Sequence, residues 1–471
     1  MMPDRSRSLL ALRPAAALLA VTVLLAPATL FAGEDWVTFT DETATRLVAD
    51  PSVGVSDPEE KDIISGDVDK DGDVDVIVVR KVPFTNPGGK RNVLFMNEDG
   101  VMTDRTAALA EDFLDLTNDR DVELVDVDGD GWLDIVTAPT FEDQPRILMN
   151  LREAAGQWRG FRWEPSRLPL LVSPQGIGPH FCGLGVGDIT GDGLPDLYFA
   201  DYGGVVVGEG IDLNDRLLIN NPLSPGFFVD ETEDRTLPTM VESCFGTDAD
   251  MADMNGDDFL DVVKVTGVGS APPGVGCPKV SVLYNDGDGV FDFEDTVYAE
   301  NPYMTAPADF TQDGRLDLVV VDDFQDRYLI NTGNDGQGHA EFTTHSFTNS
   351  PKTSGFGGNV KFADLDDDGV LDVLVADVDT DIPGCGGRLA LLQGQGTPPA
   401  VTYTDPLGAQ TRPWTPQGAF DVEALDIDGD GALDLWIGTC NGNKIFMGIS
   451  STVFEDGFES GDTSAWTTTT P

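Results

Sequence analysis

Asp126, Asp128, Asp130, Trp132 and Asp134 occupy alternate positions of a nine-residue stretch that has Gly131 at its sixth place. Carboxylates at positions 1, 3 and 5 of a tight turn project to one side. Position 7 offers a main-chain carbonyl, and the carboxylate at position 9 closes the cage. Six to eight oxygens in an irregular arrangement suit a hard divalent cation, and calcium tolerates that geometry better than magnesium does. Glycine at position 6 permits the sharp turn, because a residue without Cβ takes φ > 0 cheaply.

Six further stretches repeat the pattern. The first is Asp67, Asp69, Asp71, Asp73 and Asp75. After the Asp126 loop come Asp188, Thr190, Asp192, Leu194 and Asp196, then Asp253, Asn255, Asp257, Phe259 and Asp261. The last three are Asp309, Thr311, Asp313, Arg315 and Asp317; Asp364, Asp366, Asp368, Val370 and Asp372; and Asp426, Asp428, Asp430, Ala432 and Asp434. Positions 1, 5 and 9 are Asp throughout, and position 3 varies only among oxygen donors. Position 6 is Gly except at Asp258. An acidic chain yields one such match by accident, but not seven in register. The expected cofactor is therefore Ca2+, up to seven ions, mainly structural, since metal binding couples to folding. Loops with Thr or Asn at position 3 carry one carboxylate fewer and are expected to bind more weakly.

An EF-hand would need a bidentate Glu at position 12 and a helix on either side. Position 12 is Val78, Thr137, Phe199, Lys264, Val320, Val375 or Ile437, each inside a β-type run. The loops begin 59, 62, 65, 56, 55 and 62 residues apart. That period marks a repeat architecture. Each unit offers four β-type pieces; in the second they are Val122–Val125, Leu133–Thr137, Arg146–Met149 and one near Phe161–Glu164. The third piece often ends in Asn before a turn (Asn97, Asn150, Asn220, Asn285, Asn331), and Asn and Gly there are read as suppliers of the φ > 0 positions that hairpins need, as in Asn285–Gly289. Four short strands per unit and seven units give an all-β fold: a seven-bladed β-propeller with a calcium loop between strands 1 and 2 of each blade. Trp36–Asp41 is similar to the fourth strands around Val101–Asp104 and Phe227–Asp230, so it is expected to complete the last blade, with Val453–Glu455 as the competitor.

The chain resembles the FG-GAP/VCBS repeat proteins, the propeller type also found in integrin α-subunit heads. The seven loops carry the resemblance. Phe245-Gly246 before Asp253, Phe356-Gly357 before Asp364 and Ala138-Pro139 after Asp134 add to it. It spans roughly residues 36–449. Most units lack Phe-Gly or Ala-Pro, so it implies the fold but does not transfer integrin ligand specificity.

Basic Arg5, Arg7 and Arg13 precede an apolar Ala15–Leu25, and cleavage after Ala28 or Ala32 fits a secretory signal over residues 1–32. The propeller then occupies 33–449, and 450–471 form an acidic tail in which Phe454–Trp466 resembles a short C-terminal segment of exported bacterial proteins. A secreted, cell-surface or periplasmic protein with no transmembrane anchor in the mature chain is expected. Cysteines 182, 244, 277, 385 and 440 permit disulfides there; Cys244–Cys277 and Cys385–Cys440 are the expected pairs, with Cys182 left over.

The net charge of −55, from 28 basic and 83 acidic residues, excludes nucleic acid as a partner, since phosphate recognition rests on Lys and Arg. Catalytic signals are poor: the three histidines, His180, His339 and His345, fall in no HExxH, and no GxSxG occurs. The expected function is a binding or adhesion module for an extracellular protein or glycan, not an enzyme. The alternative is an extracellular polysaccharide-acting hydrolase or lyase. Binding is expected on the long loops 81–90, 201–215, 267–278 and 377–387 and the insertion 151–180, opposite the acidic loops. Trp158, Trp163, Tyr202 and Trp414 are the aromatic candidates.

Overall fold

A computed structural model of the chain describes residues 36–82, 88–141, 143–172, 176, 178–202, 214–241, 245–267, 278–349, 357–377, 389–406 and 418–449. Within them each repeat folds as an antiparallel sheet of four strands, and a two-residue strand at Leu47–Val48 adds a parallel fifth to the first sheet. Blade 1 runs Glu60–Gly66, Asp75–Lys81, Val93–Asn97 and Met102–Asp104. Blade 2 runs Asp119–Val125, Asp134–Pro139, Arg146–Asn150 and Phe161–Trp163. Blades 3 to 6 begin at Phe181, Gly246, Pro302 and Gly357, and blade 7 at Ala419. The first strands pack side by side in sequence, and the seventh returns to the first, so the ring is closed and these strands line its axis.

Each second strand is buried along its whole described length, as in Asp75–Lys81 and Asp317–Asp322. Its side chains point alternately into the spaces on either side of the blade. The apolar core accordingly sits between blades. Val76, Val78 and Phe95 of blade 1 share a cluster with Leu425, Trp436 and Ile445 of blade 7, and the Phe95 and Trp436 rings lie 4.9 Å apart. Val136 and Ile147 of blade 2 meet Leu184 and Phe199 of blade 3 in the same way. One blade has no core of its own, so the ring is the folding unit.

The last blade is completed from the other end of the chain. Phe39–Asp41 pairs antiparallel with Gly442–Gly448, with Thr40 opposite Met447. This is the closure expected from the sequence; Val453–Glu455 lies outside the described residues. Arg46, just beyond this strand, donates to the Gly100 carbonyl of blade 1 at 2.9 Å and to Asp428 of blade 7 at 2.8 Å.

Around the axis, carboxylates on the first strands clamp blades 7, 1, 2 and 4 each to the next blade. Asp421 Oδ2 accepts the Ile63 amide at 2.7 Å, Asp62 Oδ2 the Val122 amide at 3.1 Å, and Asp121 Oδ2 the Leu184 amide at 2.7 Å. Asp248 Oδ2 accepts the Thr305 amide at 2.7 Å. Where blade 3 faces blade 4, the approach is close enough that a Cβ on Gly183 would stand 2.5 Å from Asp248 Cα.

Gly287 and Gly289 have the positive φ expected in these turns, but the strand-end asparagines differ from the sequence reading. None of the five has positive φ; that conformation falls on Gly100, Arg152, Gly226, Gly287 and Gly333 in the turns beyond them. Each Asn is a bridge instead. Its Nδ2 donates to a loop carbonyl of the preceding blade: Asn97 to Ile427 at 2.9 Å, Asn150 to Val68 at 2.9 Å, Asn220 to Val127 at 2.8 Å, Asn285 to Ile189 at 2.8 Å and Asn331 to Met254 at 2.9 Å. Its Oδ1 holds the amide of the positive-φ residue. Two donors and one acceptor on a short stem are what this position requires. Cys182 is a free, buried thiol, while Cys440 is in a disulfide whose partner lies outside the described residues.

Candidate functional site

Seven acidic loops connect the first and second strands of the seven blades, and all share one conformation. The position 1 carboxylate accepts the amides of positions 5 and 6: Asp126 takes Asp130 at 3.0 Å and Gly131 at 2.6 Å, and Asp364 takes Asp368 at 3.0 Å and Gly369 at 2.9 Å. Position 5 accepts the amide of position 7, as Asp130 does from Trp132 at 2.9 Å. Position 6 has positive φ in every loop, between 72° at Asp258 and 101° at Gly72. Position 4 does so as well, at Lys70, Gly129, Gly191, Gly256, Gln312, Asp367 and Gly429, a second left-handed site that the sequence reading missed. Mixed residue types at position 4 conceal it.

Position 9 opens the second strand and fastens the loop to the blade. Asp134 is buried; its Oδ1 accepts the Asn150 amide at 2.7 Å and its Oδ2 the Val127 amide at 3.1 Å. Asp75, Asp196, Asp261, Asp372 and Asp434 make the same pair of bonds, and Asp317 takes the Thr311 amide and hydroxyl in place of the second. Burial pushes Asp75 up to about 8 and Asp134, Asp196, Asp261 and Asp372 up to about 7, against these amides, which favour the charged form.

Among the described residues, four loops bring three carboxylates within 4.8 Å of one another: Asp67, Asp69 and Asp71; Asp126, Asp128 and Asp134; Asp364, Asp366 and Asp372; and Asp426, Asp428 and Asp434. These are the four loops with Asp at position 3. In the other three loops no such acidic triplet forms, and Thr311 turns its hydroxyl onto Asp317 at 2.9 Å. Asp75 stands apart from its loop's triplet, as do Asp130, Asp368 and Asp430 from theirs. The fit to a cation shows in the oxygens left over. Oδ1 of Asp73, Asp128 and Asp366 is buried without a hydrogen-bond donor. Burial, then Asp71, raises Asp73 to about 7, and burial with Asp130 raises Asp128. Unpaired anionic oxygens packed this closely are costly, and a bound cation is the direct remedy. Arginines supply part of it: Arg46 to Asp428, Arg152 to Asp130 and Arg315 to Asp313.

The three aromatic candidates among the described residues are structural. Tyr202 is buried, against Phe245 and His180. Trp158 donates its indole N–H to Asn150 Oδ1 at 2.8 Å, and the Arg146 guanidinium covers Trp163 at 4.7 Å. Trp414 and the interiors of the four long loops lie outside the described residues, as do Cys244, Cys277, Cys385, Phe356 and both chain ends. Burial lifts the Cys182 thiol to about 12, which disfavours its thiolate form.

A cavity of about 330 Å³ opens on the acidic-loop face, between blades 4 and 5. Its blade 4 wall is Asn255 and Asp257 of the loop, Tyr284, and Asp292 and Phe293 of the outer strand. Its other wall is the blade 5 hairpin, with Asn334, Gln337 and His339. The hairpin leans back onto blade 4: Asn334 Nδ2 donates to the Asn255 carbonyl at 2.7 Å, and the Ala340 amide to the Tyr284 hydroxyl at 2.9 Å. The Phe293 and His339 rings stack at 3.9 Å and 7°. The walls belong to different repeats, so sequence spacing does not reveal the cavity.

The FG-GAP-like repeat family matches residues 67–137 and 309–375. No curated protein matches the chain. Among solved structures, an Agrocybe aegerita lectin described as recognising non-reducing terminal N-acetylglucosamine is similar at 16% identity and TM-score 0.45, over 73% of this chain and 80% of that one. BBS1N in complex with ARL6DN is similar at 11% identity and TM-score 0.49, over 88% of this chain and 98% of that one. Among the described residues, no helix is long and apolar enough to cross a membrane.

Proposed function

We propose that this seven-bladed propeller of FG-GAP-like repeats is an exported, calcium-stabilised binding module for an extracellular protein or glycan. The observation that supports binding is the cavity between blades 4 and 5, where an aromatic plate and polar side chains meet on a rigid rim. Cavities of this kind are the usual places for small ligands. Calcium would be held by the carboxylates at positions 1, 3 and 5 with the position 7 carbonyl and the position 9 carboxylate. It would supply charge neutralisation and stiffness to the rim rather than chemistry.

Glycan and matrix-protein arrays, probed with and without calcium and followed by product analysis, test this reading. Saturable binding without turnover is the expected result. Release of shortened or unsaturated oligosaccharides would instead establish the competing reading, an enzyme acting on polysaccharide.

A further inference from the structure

We infer that the cavity between blades 4 and 5 is a subsite for a single uncharged pyranose ring; the inference rests on the binding-module reading and specifies its ligand. Size is the first argument. About 330 Å³ lies at the small end of ligand pockets and accommodates one sugar ring rather than a peptide segment.

Shape is the second. Phe293 is 37% exposed on the outer strand of blade 4. Its plane is fixed by His339, stacked at 3.9 Å, and His339 is itself held 4.7 Å from Tyr284. The hairpin carrying His339 is pinned by Asp335, whose Oδ1 accepts the Gln337 amide at 2.7 Å and the His339 amide at 3.0 Å. His339 covers one face of this braced ring, and the opposite face is the one available to the polarised C–H groups of a pyranose.

Charge is the third. The rim offers amides at Asn334 and Gln337 and carboxylates at Asp286 and Asp292, and the lining contains no Lys or Arg. Hydroxyl pairs can donate to the carboxylates and accept from the amides. A uronate, sulfate or phosphate would meet Asp257, Asp286 and Asp292 with no Lys or Arg in the lining to offset them, and a cation in the Asp253 loop would be neutralised by that loop's own carboxylates, so the site discriminates against acidic sugars.

The test is saturation-transfer NMR on the full calcium-loaded chain, with methyl glycosides of neutral hexoses and with glucuronate as probes. Asn255 and Asp257 also belong to an acidic loop, so the variants fall on other parts of the wall: Phe293→Ala, Gln337→Ala and Asp292→Asn. Phe324→Ala, at a ring 57% exposed elsewhere, is the control. The expected result is transfer to a neutral hexoside, no transfer to glucuronate, and an affinity loss of roughly tenfold in Phe293→Ala with an unchanged melting temperature. Gln337→Ala and Asp292→Asn should weaken binding in the same direction, and the control should not. Three results would overturn the inference: glucuronate bound as well as the neutral sugar, neutral binding unchanged in all three cavity variants, or no binding of any hexoside. In the second case the module reading survives with its glycan site elsewhere. In the third it survives only through saturable binding on the protein array.

Discussion

At the scale of single residues, the loops separate what an oxygen cage needs from what a turn needs. Carboxylates at positions 1, 5 and 9 organise the main chain through their amide contacts, and Oδ1 of the position 3 residues Asp128 and Asp366 is left without a donor. Asp258 exposes the turn requirement. It holds φ of 72° where six other loops have glycine, and a side-chain-bearing residue there carries strain of about 1 kcal/mol. Asp258→Gly should therefore raise stability by roughly 0.5–1 kcal/mol, read as a shift in urea midpoint with unchanged slope. A lower midpoint would mean that the Asp258 carboxylate contributes more than its backbone costs.

At the scale of strands and blades, cohesion comes from contacts that cross blade boundaries. The Asn bridge is the clearest case, because one side chain joins its own turn to the loop of the preceding blade. Removing it leaves the Val68 carbonyl and the Arg152 amide without their partner, so Asn150→Ala should cost about 2 kcal/mol, within the range for losing a buried hydrogen-bond partner. Thermal and urea unfolding of that variant, set beside a surface control such as Leu223→Ala, would check it. A loss no larger than the control's would show that the bridge is incidental. Blades 6 and 7 do without it, having Gly394 and Gly448 where the Asp372 and Asp434 carboxylates accept the amide. At Gly394 a Cβ would stand 2.7 Å from the Leu371 carbonyl, so the exception has a steric reason.

At the scale of the whole molecule, the ring, the number of blades and the place of the acidic loops were legible in the sequence, because loop spacing and ligand positions repeat within each unit. The axial carboxylate clamps were not, and of the Asn bridges only the recurring Asn was visible and not its partner, since each contact joins residues about 60 to 360 positions apart. The buried carboxylates of the first strands, the clamps among them, also set a pH response. Burial, reinforced by neighbouring carboxylates, lifts Asp62 to about 8 and Asp121 and Glu123 to about 7, and raises Asp250 and Asp421 well above their ordinary range. Lys361, beside Glu423 at 2.7 Å, opposes part of this. A carboxyl whose folded value is raised stabilises the fold below its unfolded value near 4 and loses that contribution as pH rises through 7 to 8. In EGTA the melting temperature should therefore fall between pH 5 and pH 8. The increment restored by calcium should grow over the same interval, because the loop carboxylates must be ionised to bind it. A metal-free melting temperature that is flat or rises with pH would contradict the burial of these groups. The most direct test of the account is the calcium content of dialysed protein by plasma mass spectrometry, paired with melting in calcium and in EGTA. At least four bound ions per chain, one for each triplet of carboxylates, and a marked fall in melting temperature on chelation are the results expected. Protein that retains no calcium and melts at the same temperature in both buffers would contradict the claim that these loops hold the ring together through metal.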